Sequence, residues 1–223
     1  MSPVLKQKAP LVLLVAWCVA MLAVRDVYAH NHVDDFLLWN LGLALVPFGA
    51  AIVLRLLPGR AALVPLKLAL FGAWLTFLPN APYLVTDLVH LTHAAHVPFW
   101  YDIALFGSFA ATGALLGYSS VADVDEVVSE RFGKVWGVSV AFGSLLLCGF
   151  GIYLGRFLRW NSWDLLSAPR TLGRETVHQL AHPLSHPGPW QVSAVYGVGL
   201  VLGYLALRSL SPAVAPSARR SAR

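Results

Sequence analysis

The sequence predicts an all-α, polytopic transmembrane helical bundle of about six spans, and three observations carry that prediction. Of 223 residues, 57% are hydrophobic and only 12% charged, against about 45–50% and about 25% in ordinary soluble domains. Mean hydropathy is +0.66, and a soluble core of this size does not hide so much apolar surface beneath so few polar groups. The apolar residues also gather in six runs, each close to the length that crosses a bilayer. A disordered chain is excluded by the same figures, because such chains are polar and charge-rich.

The runs fall at 11–24, 36–54, 61–78, 99–121, 135–154 and 192–207. Each is read as a helix, since an unpaired backbone group in hydrocarbon costs several kcal/mol and a helix satisfies its own. Lys67 tests the third run. A mid-span lysine costs roughly 2.5–3.5 kcal/mol, against about −0.3 to −0.6 for each Leu, Phe or Val. It stands six residues inside Ala61, about 9 Å along a helix, so its stem carries the ammonium back toward the headgroups. Residues 1–210 thus form one integral membrane domain, and 211–223, rich in Ser, Ala, Pro and Arg, read as a disordered basic tail near anionic lipid.

The first run has a second reading. Lys6 and Lys8, a short apolar stretch and then Val27-Tyr28-Ala29 resemble a signal peptide with a small-residue cleavage site. Residue 30 emerges outside on either reading. Ten basic residues (Lys6, Lys8, Arg55, Arg60, Arg131, Lys134, Arg208, Arg219, Arg220 and Arg223) then fall on inner segments, and five (Arg25, Arg156, Arg159, Arg170 and Arg174) on outer ones. That bias predicts both termini inside a bacterial cytoplasmic membrane. It also accounts for the net charge of +5 and the pI near 9.5 without a nucleic-acid partner. Cys18 and Cys148 lie in apolar runs and indicate neither a disulfide framework nor a cysteine metal site.

Three further features stand out along the chain. The inner stretch from Asp123 to Glu130 is acidic and reads as a solvated amphipathic connector. Gly113 with Gly117, Gly151 with Gly155 and Gly199 with Gly203 place small residues on one face of the last three spans. Such faces let helices approach closely, within one chain or between a chain and a partner subunit or second copy. The third group lies outside, where chain parity brings together the end of span three, the start of span four and the end of span five.

That outer group contains FLPNAPYLVTDLVHL, FWYD and GRFLRWNSWD. Pro79 and Pro82 are expected to stop the third helix, and Thr86 to cap a short one carrying Asp87 and His90 side by side. Arg156 and Arg159, also three apart, are expected to share a helix face, with Asn161 and Asp164 forming a capping-box-like exchange. Pairing of Asp87 or Asp102 with Arg156 or Arg159 is the simplest structural account of these charges. These three motifs together resemble the bacterial multi-pass membrane family known as domain of unknown function 1361. The resemblance runs from about span two to span six and implies a bacterial integral membrane protein with no established activity. Asn80, Pro82, Tyr83, Asp87, His90, Asp102, Gly155, Arg156, Arg159, Asn161, Ser162, Trp163 and Asp164 fall on the family-like motifs, whereas His93 and His96 lie beyond them.

Three chemistries compete for this cluster, and whether the chain is an enzyme is open. Arg156 and Arg159, with Asn80, Asn161 and Asp164, suit an anionic lipid headgroup or phosphate. Asp87, His90 and Asp102 are then the catalytic candidates, His90 as general acid or base beside Asp87. Asp87, His90 and His93 have metal-capable side chains, but their three-residue repeat drifts around a helix, so no metal or other cofactor is expected. His178, His182 and His186 are weaker still, because Pro183 and Pro187 interrupt their helix. The third reading is a structural or partner-binding subunit whose Asp–Arg cluster only locks the fold. No nucleophile elbow, zincin, phosphate-loop or dinucleotide motif names a reaction. A cysteine placed at position 93 is expected to react with a membrane-impermeant thiol reagent from outside the cell; labelling only from the cytoplasm would overturn this orientation.

Overall fold

The structure is a computed structural model describing residues 3–91, 97–160, 162, 164–181 and 187–210. Helix α1 spans Pro3–Ala29 and α2 Phe36–Leu56; α3, Val64–Phe77, follows a short 3-10 turn at Ala61–Leu63. Helix α4, Asn80–Thr86, runs into a 3-10 turn at Asp87–His90. Then come α5 (Phe99–Phe132), α6 (Lys134–Arg156), α7 (Asp164–Ser167), α8 (Pro169–Ala181) and α9 (Pro187–Leu210). No strand occurs among the described residues. Among the described residues, six segments are long and apolar enough to cross a bilayer: Val4–Ala29, Phe36–Leu56, Ala61–His90, Phe99–Phe132, Lys134–Arg156 and Pro187–Leu210. The chain is an all-α polytopic bundle. The proposed tail, 211–223, lies outside the described residues.

Helix α5 is the shared wall of two apolar clusters. Leu105, Phe106, Phe109 and Leu116 pack with α1, α2 and α4, around Cys18, Leu22, Leu37, Leu41 and Leu84. Val121 and Val124 pack with α2, α3, α6 and α9, around Leu54, Trp74, Leu145 and Tyr204. Its 34 residues extend about 51 Å, well beyond a hydrocarbon core of about 30 Å. The overhang corrects the expectation of a solvated acidic connector. Asp123 and Asp125 sit on the last turns of α5 and are only 1% and 6% exposed. Asp123 pairs with Lys8 at 2.6 Å and Arg55 at 2.6 Å, and Asp125 with Arg208 at 2.9 Å. Three basic residues on neighbouring helices end at the same level, so the acids are drawn inward rather than into water. The reversal from α5 to α6 takes one residue, Gly133, whose φ of +99° is one that a side chain resists.

The break in the third span follows its prolines only in part. Leu78 and Pro79 form a turn, but Pro82 falls within the first turn of α4, where its missing N–H is not needed. Thr86 makes no cap; its hydroxyl donates back to the carbonyl of Tyr83 at 2.6 Å. Helix α4 is wedged between α5 and α6, and glycines make room for it. A Cβ on Gly113 would strike the Ala81 carbonyl and Leu84, and one on Gly117 would lie 3.2 Å from Ala81. On α6, a Cβ at Gly151 would come within 2.5 Å of Pro79, and one at Gly155 within 3.1 Å of Tyr83.

Two of the three glycine faces are therefore filled from within the chain, not by direct contact between the last three spans or by another subunit. Gly203 meets Tyr118, and Gly199 faces open space. The close crossing of α6 and α9 uses a different pair, Gly149 and Gly197. Valine at Gly151 is expected to destabilise the protein by about 1–3 kcal/mol or more through overpacking. Gly199→Val is expected to leave the detergent-solubilised melting temperature unchanged within about 1–2 °C. Equal melting of the two variants would refute the wedge.

Candidate functional site

Breaking α3 strands its last carbonyls in an apolar setting, and the site begins with how they are satisfied. Asn80, the first residue of α4, donates from Nδ2 to the Phe77 carbonyl at 2.9 Å and to Ser162 Oγ at 2.8 Å. Ser162 Oγ in turn donates to the Thr76 carbonyl at 3.4 Å. At the other end of α4, the Arg156 guanidinium donates to the Thr86 carbonyl. It also reaches Asp87 Oδ1 at 3.3 Å and the Tyr83 hydroxyl at 3.4 Å, and lies 5.4 Å from the Tyr83 ring centroid. Asn40 of α2 completes the group, donating to Asp87 Oδ2 at 2.8 Å. The Asp87 side chain is 1% exposed and that of Arg156 19%, so the pair is largely desolvated.

The structure thus brings Asp87 and Arg156 together and separates the other expected partners. Asp102 joins Arg25 at 3.0 Å, not Arg156 or Arg159, and Arg25 also binds Asp34 at 2.7 Å. Burial raises the Asp34 carboxyl above its usual range, an effect opposed by Arg25. Arg159 does not share a face with Arg156. Helix α6 stops at Arg156, the Trp160 amide turns back to the Leu154 carbonyl at 3.1 Å, and Arg159 takes a φ of +59°. It is exposed and forms no ion pair among the described residues. His90 is exposed and packs edge-on against Phe36, with centroids 5.3 Å apart. Asp164 opens α7 and accepts from Ser167 Oγ at 3.2 Å.

Asn161 and His93 lie outside the described residues, so the expected capping exchange and the Asp87/His90/His93 metal trio do too. His96, His182 and His186 also lie outside, as does the side chain of His178. Among the described residues the one three-ligand grouping is Asp26, His32 and Asp35, partly or largely exposed at the turn between α1 and α2.

Beside the clasp opens a cleft of about 250 Å³. Its polar lining is Asn40, Thr76, Asn80, Tyr83 and Ser162; its apolar lining includes Trp39, Leu43, Leu147, Phe150, Leu154 and Trp160. Asn40 and Thr76 are polar lining residues that the sequence reading did not single out; Tyr83 and Ser162 stood in the family-like motifs. Asn40 carried a signal, being an amide within an apolar span and at the same end as Asp87.

The family described as "Protein of unknown function (DUF1361)" matches residues 39–202. The chain belongs to this family. The DUF1361 match contains every residue lining the cleft and both members of the Asp87–Arg156 pair, whereas Arg25 and Asp34 precede it. No curated protein and no solved structure matches the chain.

The clasp has an asymmetric energetic signature. Removing one partner of a buried pair costs about 3–5 kcal/mol by stranding the other, whereas replacing both by apolar groups is often neutral. Arg156→Met is expected to cost more than Asp87→Leu, because the carboxylate left behind is the deeper group. The double variant is expected to lose less than the sum of the two. Thermal unfolding in detergent measures all three, and additivity would show that the contact contributes little.

Proposed function

We propose that this DUF1361 member is a bilayer-embedded binding protein whose cleft takes an amphipathic membrane molecule. The observation that carries this reading is the mixed lining: hydrogen-bonding groups of Asn40, Asn80, Tyr83 and Ser162 share the cleft with Leu43, Leu147, Phe150 and Leu154. Polar groups fix a head, and the apolar wall accepts the start of a hydrocarbon chain. With both termini inside a bacterial cytoplasmic membrane, this end meets the outer leaflet.

Asp87 and Arg156 act as a clasp that holds α4 to α6. They are not a two-arginine phosphate clamp, because Arg156 is neutralised by Asp87 and Arg159 stands off its helix face. Arg159 is exposed and next in sequence to Trp160 of the lining but is not itself a lining residue. A catalytic role for Asp87, His90 or Asp102 gains no support from these contacts. A second reading, a subunit of a larger membrane assembly, is favoured by α9. Only 11% of its apolar window is buried, and Gly199 on it faces open space.

Leu147→Trp is expected to fill the cleft while leaving the clasp intact, since Leu147 is 56% exposed and is not part of the clasp. Loss of burial for two methylenes, about 1.6 kcal/mol, corresponds to about tenfold less retained lipid. Mass spectrometry of lipid co-purified with wild type and variant measures it. Equal retention would place the lipid elsewhere and overturn the reading.

A further inference from the structure

The segment that joins α6 to α9 holds arginines that neither the cleft nor the clasp uses. Arg170 and Arg174 lie on α8, and on the orientation proposed above they stand outside, where basic residues are normally scarce. We propose that α8 lies in the headgroup plane of the bilayer and binds anionic lipid through Arg170 and Arg174, independently of the cleft.

The residue pattern along α8 is two-faced. At about 100° per residue, Pro169, Leu172, Gly173, Thr176, Val177 and Leu180 fall within one sector of about 140°. The charged residues, with Thr171, His178 and Gln179, fall outside it. With 13 residues, α8 is too short to cross a hydrocarbon core, which takes about 20. A helix of this pattern lies along the interface instead. Val177 is 66% exposed, so the bundle does not cover the apolar sector there. Arg170 and Arg174, one turn apart and both exposed, border that sector. Neither forms an ion pair among the described residues.

The bilayer is the surface within reach. Helix α8 contacts α9, one of the membrane-crossing segments, whose first turn carries the exposed Trp190. Gly149 of α6 crosses Ser193 and Gly197 of α9, which sets Trp190 toward the Arg156 end of α6. Exposed Trp39, in the first turn of α2, stands at the same end, because its neighbour Asn40 and Arg156 both reach Asp87. Exposed indoles at one end of a bundle mark the headgroup layer. A helix tethered there has acyl chains beneath its apolar sector and phosphates at the height that arginine stems reach. Two arginines against one acid, Glu175, give α8 the sign that anionic headgroups attract.

The test places the full chain in nanodiscs of phosphatidylcholine and phosphatidylglycerol and makes two measurements. A bimane label on Val177→Cys reports depth, with Thr171→Cys outside the apolar sector as its control; Cys18 and Cys148 are buried. The label at 177 is expected to lose fluorescence to a spin label on the lipid acyl chains, and the label at 171 to aqueous iodide. Iodide quenching both alike would put α8 in water, and a label at 177 quenched by neither would put protein over it. Either result would overturn the proposal. Native mass spectrometry of the lipids retained on release into detergent measures charge recognition. Arg170→Gln and Arg174→Gln are each expected to lower the preference for phosphatidylglycerol over phosphatidylcholine about fivefold. An unchanged preference in both would overturn the assignment of anionic lipid to these arginines.

Discussion

A helix that breaks in apolar surroundings must find donors for the carbonyls it exposes, and that constraint organises this protein. Pro79 ends α3 within the third membrane-crossing segment. The carbonyls of Thr76, Phe77 and Thr86 then draw in Asn80, three residues beyond Phe77, and Ser162 and Arg156 from distant parts of the chain. Unpaired, each would cost several kcal/mol in a bilayer. The short helix created by the break needs seats, which Gly113, Gly117, Gly151 and Gly155 supply. The polar lining of the cleft consists largely of the same groups that repair the break, so the fold and the cleft share one set of side chains.

Charge is handled by matching levels along the bundle. At one end Lys8, Arg55 and Arg208 converge on Asp123 and Asp125; at the other Arg25 holds Asp34 and Asp102, and Arg156 holds Asp87. Each cluster ties α5 or the broken span to at least one other helix. Pairs of this kind gain little net energy over apolar packing, and their service here is to fix the height of each helix against its neighbours. Between them lies a largely apolar stretch, where the hydroxyl of Thr112 meets the Cys18 thiol at 3.2 Å.

The sequence made the spans and their ends legible, because hydropathy reports length directly and chain parity sorts the ends. Parity also brought Asp87 and Arg156 to one place. It did not choose among partners at the same end, so Asp102 went to Arg25. Helix periodicity failed at Arg159, since three-residue spacing means adjacency only while the helix continues, and α6 ends one turn earlier. The glycine faces were visible, but small-residue spacing says that something fits closely and not what. Here the occupant is a seven-residue helix, too short for hydropathy to separate from the span before it. The acids at the end of α5 were hidden for a related reason. Their burial depends on which neighbours end at the same height, a property of six helices together and of none alone.

The pairing of α1 with α5 has a consequence for how the chain is made. Arg25 emerges 77 residues ahead of Asp102, and Lys8 emerges 111 residues ahead of Ser119. At about 5–20 residues per second, Arg25 waits about 4–15 seconds for its α5 partner. Asp34, nine residues on, arrives almost at once and halves the debt, while Lys8 reaches toward the headgroups with its long stem. The first helix therefore enters the bilayer as a provisional resident. Its final depth is set only when α5 threads past and offers Asp102, Thr112, Ser119 and Asp123 along a single edge.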